Sequence, residues 1–335
     1  MKVAIVCVSE KGKNLAYGIK EKLDTDSTII RADVFYKNVK KYLKIAFYEY
    51  DAIIAVMASG ILIRSIAPYI ESKTSDPAVL NIDDNGNFVI STLSGHLGGA
   101  NSLTNKIAAL IEATPVITTS SDINNRLGID VLARDLYLSV DRPEEILFFN
   151  KAILEGHEIT LTSKTRKEYL IDYIKGNTLE IDVCFNYSDN VDDDEIRVGL
   201  DGHELILKER KMVVGIGCRR GKECEKIYEG FKKSLNDLKI GKSRVNQLAS
   251  AEIKKDEKGI LELSEKLDIP VEFVDLEKLK LFESNDVQKS EFVKSKFGIY
   301  GVCEPSALIM AGFDSKLIYK KTSYGGVTIS VAISS

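Results

Sequence analysis

The chain has 335 residues, 44% hydrophobic and 29% charged, with 46 basic against 50 acidic side chains and a formal net charge of −4. That length implies two or three domains with sizeable cores, and the near balance of charge, without a long basic stripe, argues against a nucleic-acid partner. With no apolar run of about eighteen residues and no signal-peptide pattern behind Met1, neither a transmembrane helix nor a membrane partner is expected, and a cytoplasmic location is.

Charge places the boundaries. The acidic excess lies wholly in residues 131–211, which separates an amino-terminal domain (1–130) from an acidic middle domain (131–211) and a carboxy-terminal domain (212–335). In the first, Lys2 to Val8 and Ala52 to Val56 are β-branched runs followed by helical periodicity, the pattern of a parallel α/β sheet. Ala78 to Asp83 and Phe88 to Thr92 flank Asp84-Asn85-Gly86-Asn87, which predicts a hairpin. Ser94-Gly95-His96-Leu97-Gly98-Gly99-Ala100-Asn101 then leads into a helix ending near Glu112, and Pro115 to Thr119 supplies another strand. A histidine in a glycine-rich strand-to-helix turn suits proton transfer beside unpaired N–H donors, because its pKa lies near neutrality.

The middle domain is expected to hold a strand over Leu136 to Val140, a helix over Pro143 to Glu155, and strands near Glu158 to Thr162 and Leu179 to Phe185. Asp189 to Glu195 reads as a solvated connection, lacking a calcium loop's glycine and spacing. His157 and His203 read as exposed turn residues without a second ligand.

In the last domain Met212 to Ile216 is a strand, Gly217-Cys218-Arg219-Arg220-Gly221-Lys222 a turn, and Glu223 to Leu238 a helix. This can bind an anion, although it matches neither a Walker loop nor the dinucleotide fingerprint. Cys218 and Cys224 read as packing thiols, and the five dispersed cysteines (Cys7, Cys184, Cys218, Cys224, Cys303) suit free thiols in a reducing compartment. Further on, Lys254 to Gly259 leads into a helix, and Gly301-Val302-Cys303-Glu304-Pro305-Ser306-Ala307-Leu308 places a carboxylate and a proline at a helix start. Leu317 to Thr322 and Val327 to Ile333 form a terminal strand pair around Gly325-Gly326. The expected class is α/β: a mostly parallel-sheet N-terminal domain, a small α/β middle domain and an α/β C-terminal domain.

Together these motifs resemble the cobalt-precorrin 5A hydrolases of anaerobic cobalamin biosynthesis. The resemblance rests on Met57 to Arg64 with Ala67-Pro68, Lys73 to Pro77, Leu93 to Asn101, Gly215 to Gly221, Lys254 to Gly259 and Val302 to Leu308, and is poorest in the middle segment. It implies opening of a δ-lactone on a cobalt-bearing contracted tetrapyrrole, with loss of acetaldehyde. The cobalt then belongs to the substrate, so no cofactor and no protein-bound metal are expected. A homo-oligomer and transient contact with other enzymes of the pathway stay open.

His96 is the first candidate for base or relay and Glu304 the second. Candidate substrate-binding residues are Ser59, Gly60, Ser94, Gly95, Gly98, Gly99, Asn101, Gly217 and Ser306, with Arg64, Lys73, Arg219, Arg220 and Lys254 as cations for acetates and propionates. Oxyanion donors are expected at Gly98 and Gly99 or at the start of the helix after Ser59, with the site between the outer domains. Cys303 is set aside as a nucleophile. A non-catalytic corrinoid-binding or delivery protein is the alternative reading, and a phosphate- or nucleotide-binding enzyme using the turn at Gly217 a third.

Overall fold

A computed structural model describes residues 1–72, 75–119 and 125–335. The chain forms two compact units, Met1–Arg166 with Gly176–Glu209, and Lys167–Lys175 with Arg210–Ser335.

The first unit opens with β1 (Lys2–Cys7), α1 (Glu10–Asp24), β2 (Arg31–Tyr36), α2 (Val39–Glu49), β3 (Ala52–Val56), α3 (Ser59–Ile66), β4 (Ala78–Ile82), β5 (Phe88–Leu93), α4 (Ala100–Ile111) and β6 (Thr114–Val116). The sheet order is β2-β1-β3-β4-β5-β6. The first four of these strands are mutually parallel, and β5 turns back antiparallel to β4. Parallel strands covered on both faces must be apolar throughout, which is why β1 and β3 read as continuous runs. Val3, Ile5, Ile54 and Leu80 pack against α1 and α4 through Ala16, Ile19, Leu103 and Ile107. Ala4, Val6, Ile53 and Val79 pack against α2 and α3 through Leu43, Phe47, Leu62 and Ile66. The expected hairpin is present: the Asp83 carboxylate accepts from the N–H groups of Asn85, Asn87 and Phe88, and Gly86 takes a φ of 73°.

A second sheet in this unit holds β7 (Leu138–Asp141), β8 (Ile159–Ser163), β9 (Val183–Tyr187), β10 (Glu195–Leu200) and β11 (His203–Glu209), in the order β7-β11-β10-β8-β9. The β10–β11 hairpin was not anticipated, although Asp201-Gly202, with φ of 50° and 83°, is a two-residue turn sequence. Within the run expected to be a solvated connection, Asp192, Asp193 and Asp194 are exposed in a turn, whereas Val191 and Glu195 are buried and Glu195 opens β10, 3.1 Å from the Lys208 ammonium. His157 is exposed beside Glu155, whereas His203 opens β11, stacks on Phe148 and reaches the Glu145 carboxylate at 2.8 Å.

The second unit is built on β12 (Met212–Cys218), β13 (Gln247–Ala251), β14 (Val271–Val274), β15 (Lys316–Tyr324) and β16 (Val327–Ile333), in the order β14-β13-β12-β16-β15. Strands β12 to β14 are parallel, and β15 and β16 form the expected antiparallel pair. An unanticipated helix, Glu168–Gly176, contributes Tyr169, whose ring lies under the buried Arg244 guanidinium. The helix Cys303–Ala311 rests on β12 at Gly215, where a Cβ would stand 2.0 Å from the Cys303 carbonyl oxygen, so only glycine permits this packing. All five cysteines are free thiols. Among the described residues no helix is long and apolar enough to cross a membrane.

Candidate functional site

The histidine turn begins where β5 ends. Ser94 adopts a left-handed φ of 55°, the His96 carbonyl accepts from Gly99 N–H, and the Ser94 and Gly95 carbonyls accept from Ala100 and Asn101. Its glycines have steric causes. A Cβ on Gly98 would stand 2.5 Å from Ser94 Cβ, one on Gly95 would meet the Asn101 amide at 2.8 Å, and Gly99 takes a φ of 87°. Asn101 is buried, accepting from Ser91 Oγ and donating to Thr119 Oγ1. The buried Ser94 hydroxyl has no hydrogen-bond partner among the described residues.

His96 is largely buried, with its Nδ1 3.2 Å from Oδ2 of Asp130 on the helix Ile129–Asp135. Burial works to raise the Asp130 carboxyl. The His96 hydrogen bond and charge, the Asn150 amide and the Val131 N–H outweigh it and hold that carboxyl below the ordinary 3.8. Arg134 of the same helix donates from Nη1 to the His96 carbonyl at 2.6 Å. None of these partners was nominated from the sequence; the available signal was Gly128, where a Cβ would stand 2.6 Å from Asp130 Oδ1.

The other amino-terminal candidates lie elsewhere on this unit. Leu93 stands opposite Val79, so the histidine turn opens at the edge where β4 begins; Val56 stands opposite Ile82, so Ser59 follows β3 at the edge where β4 ends. The helices α3 and α4 also cover opposite faces. The length of β4, about 13 Å, therefore separates the two turns, and the N–H groups after Ser59 do not face His96. Ser59 hydrogen-bonds the buried Asn81, which also donates to the Ala55 and Met57 carbonyls. The exposed Arg64 folds back over Gly60, with a guanidinium nitrogen 3.2 Å from the position of a Cβ. Lys73 lies outside the described residues.

In the second unit the turn after β12 is already internally occupied. Gly221 N–H donates to the Glu257 carboxylate, so the anion seat expected there holds a protein carboxylate. Lys254 is buried and its ammonium sits 3.3 Å from Glu257 Oε2. Arg220 donates to Asp256 at 2.6 Å and to the Ile253 carbonyl. Arg219 is different: it is exposed and has no acidic partner among the described residues, and neither has Lys222, which sequence reasoning did not nominate. Both lie against Gly326 of the β15–β16 turn, 3.4 and 3.0 Å from the position of its Cβ. Gly217 packs so tightly against Thr328 that a Cβ would stand 2.5 Å from its hydroxyl.

Glu304 is 1% exposed, in the first turn of its helix. Its two oxygens accept from Gln288 N–H and Lys321 N–H, each at 2.8 Å. Burial pushes its carboxyl up, opposed by those two N–H bonds and the charges of Lys321 and Lys320. Such a carboxylate pins a loop and a strand to the helix. Ser306 is fully buried and its hydroxyl lacks a partner among the described residues. Cys303 is 1% exposed, and burial pushes its thiol up to about 11, which disfavours the thiolate a nucleophile needs. No cluster of three or more His, Cys, Asp or Glu suited to a metal ion occurs among the described residues.

Fold and turns together define a two-unit α/β protein, with a buried histidine–carboxylate pair in one unit and, in the other, a basic turn whose Arg219 and Lys222 have no acidic partner among the described residues. Residues 41–122 match the family described as Cobalamin synthesis G N-terminal, and residues 212–332 match Cobalamin synthesis G C-terminus. The chain is 34% identical to the Methanocaldococcus jannaschii protein named "Probable cobalt-precorrin-5A hydrolase", over 99% of both chains. It is 31% identical to the cobalt-precorrin-5A hydrolase of Priestia megaterium, over 90% of this chain and 83% of that one. A crystal structure of a cobalamin biosynthesis protein G homolog from Sulfolobus solfataricus superposes with a TM-score of 0.64 at 27% identity, covering 100% of this chain and 97% of the other. The chain belongs to the cobalt-precorrin-5A hydrolase family, as its motifs had indicated.

Proposed function

We propose that this chain opens the δ-lactone of cobalt-precorrin 5A and releases acetaldehyde. The observation that carries this reading is the 34% identity with the Methanocaldococcus jannaschii relative across 99% of both chains, a span that includes both turns. In the reaction, water adds to the lactone carbonyl and the tetrahedral oxyanion expels the ring oxygen, leaving an acetate carboxylate and a hydroxyethyl group. Loss of the hydroxyl proton then breaks the bond to the macrocycle; acetaldehyde departs and the electron pair enters the conjugated ring system.

His96 is assigned both proton transfers, because it is the titratable group that the turn presents beside N–H donors. The amides of Gly98 and Gly99 are the oxyanion donors of choice, since the N–H groups after Ser59 lie at the other sheet edge. Arg219 and Lys222 are the cations for substrate carboxylates, because neither has an acidic partner among the described residues. Glu304 serves the fold. The cobalt arrives in the substrate, no cofactor is assigned to the protein, and the enzyme acts in the cytoplasm.

The test is incubation of the purified chain with cobalt-precorrin 5A, followed by mass analysis and aldehyde trapping. A product that has gained water and lost acetaldehyde supports the reading. Saturable binding of the unchanged lactone without turnover would replace it with the delivery protein.

A further inference from the structure

We propose that Asp130 is the positioning residue of the histidine turn, and that the segment after residue 125 is thereby part of the catalytic apparatus. The inference rests on the reading of His96 as the base. At neutral pH the ionised Asp130 carboxylate can only accept, so the His96 nitrogen facing it at 3.2 Å carries a proton, and in the neutral ring the lone pair is then on Nε2.

The carboxylate is itself held. Oδ1 accepts from Asn150 Nδ2 at 2.9 Å and from Val131 N–H at 3.0 Å, and Ile129 N–H donates to Asn150 Oδ1 at 2.8 Å, which fixes the amide's orientation. Arg134 lies one helical turn beyond Asp130 and holds the His96 carbonyl while paired with Asp135. One short helix thus fixes both the ring and the main chain of the histidine. Among the described residues, the charged groups around the turn include Asp130, Arg134, Asp135 and the buried Asp76, whose carbonyl lies 3.4 Å from the position of a Gly98 Cβ.

The geometry dictates what Asp130→Asn does. Asn150 and Val131 both donate toward Oδ1, so the new amide keeps its oxygen there and turns its NH2 toward His96 Nδ1. That NH2 requires a lone pair on Nδ1 and moves the ring proton to Nε2. A wrong tautomer of this kind lowers kcat by on the order of 10⁴.

The test is two-bond ¹H–¹⁵N correlation of histidine-labelled protein above neutral pH, assigned by substituting His157 and His203. Wild type is expected to show His96 protonated on Nδ1, and Asp130→Asn on Nε2, with turnover falling by several orders of magnitude at little change in KM. His96 protonated on Nε2 or on both nitrogens in the wild type overturns the proposal, and this measurement needs no variant at Asp130. A tautomer that shifts as expected while turnover stays at the wild-type rate would leave the positioning intact and overturn His96 as base.

Discussion

Replacing Glu304 with glutamine separates a carboxylate that holds the fold from one that performs chemistry. Both oxygens accept a backbone N–H at 2.8 Å, and the residue is buried. Glutamine keeps one acceptor oxygen and turns its NH2 toward the other N–H. One charge-assisted bond worth about 1.5–3 kcal/mol is lost, and a buried donor left unsatisfied costs about 1–3 kcal/mol more. A loss of about 2.5–6 kcal/mol corresponds to a melting temperature lowered by on the order of 10 °C. Thermal unfolding followed by circular dichroism measures this, alongside acetaldehyde release assayed well below the variant's transition. The expected result is a large fall in melting temperature with turnover kept within about tenfold. A variant that melts like wild type and releases no acetaldehyde would refute the reasoning and make Glu304 the base.

Three further outcomes follow from the same geometry. Arg219→Ala and Lys222→Ala each raise KM about tenfold with kcat nearly unchanged, as expected for cations that bind substrate and transition state alike, whereas Arg220→Ala, already engaged by Asp256, changes KM little; steady-state kinetics checks this. Gly98→Ala places a methyl 2.5 Å from Ser94 Cβ and 2.9 Å from the Ser94 carbonyl oxygen, so the turn cannot close and kcat falls at least a hundredfold, measured as single-turnover acetaldehyde release. Asp130 is held below its ordinary 3.8, so its stabilisation is complete above that value and is lost as pH falls through the folded pKa; urea midpoints against pH show this acid limb in wild type, flattened in Asp130→Asn.

What the sequence made legible was local. The turn around His96 could be read because Gly95, Gly98 and Gly99 each have a steric cause within a few residues, and the preceding hairpin because Asp83 caps its own turn. Glu304 was readable as a helix-start carboxylate, yet its partners Gln288 and Lys321 lie 16 and 17 residues away and left no pattern. Asp130 was missed because its bond to His96 spans 34 residues and its helix is too short to show a period. The ion pairs that engage Arg220 and Lys254 were in principle visible, since Asp256 and Glu257 stand in the same quoted run. What could not be read there was that each acid pairs with one of those cations, Asp256 at the surface and Glu257 in the interior.

The central claim is that His96 moves the protons of lactone opening. Single-turnover acetaldehyde release by His96→Gln, with cobalt-precorrin 5A binding measured on the same preparation, tests it most directly. The account predicts near-wild-type affinity with release slowed by about 10²–10⁴. Release at the wild-type rate would contradict it.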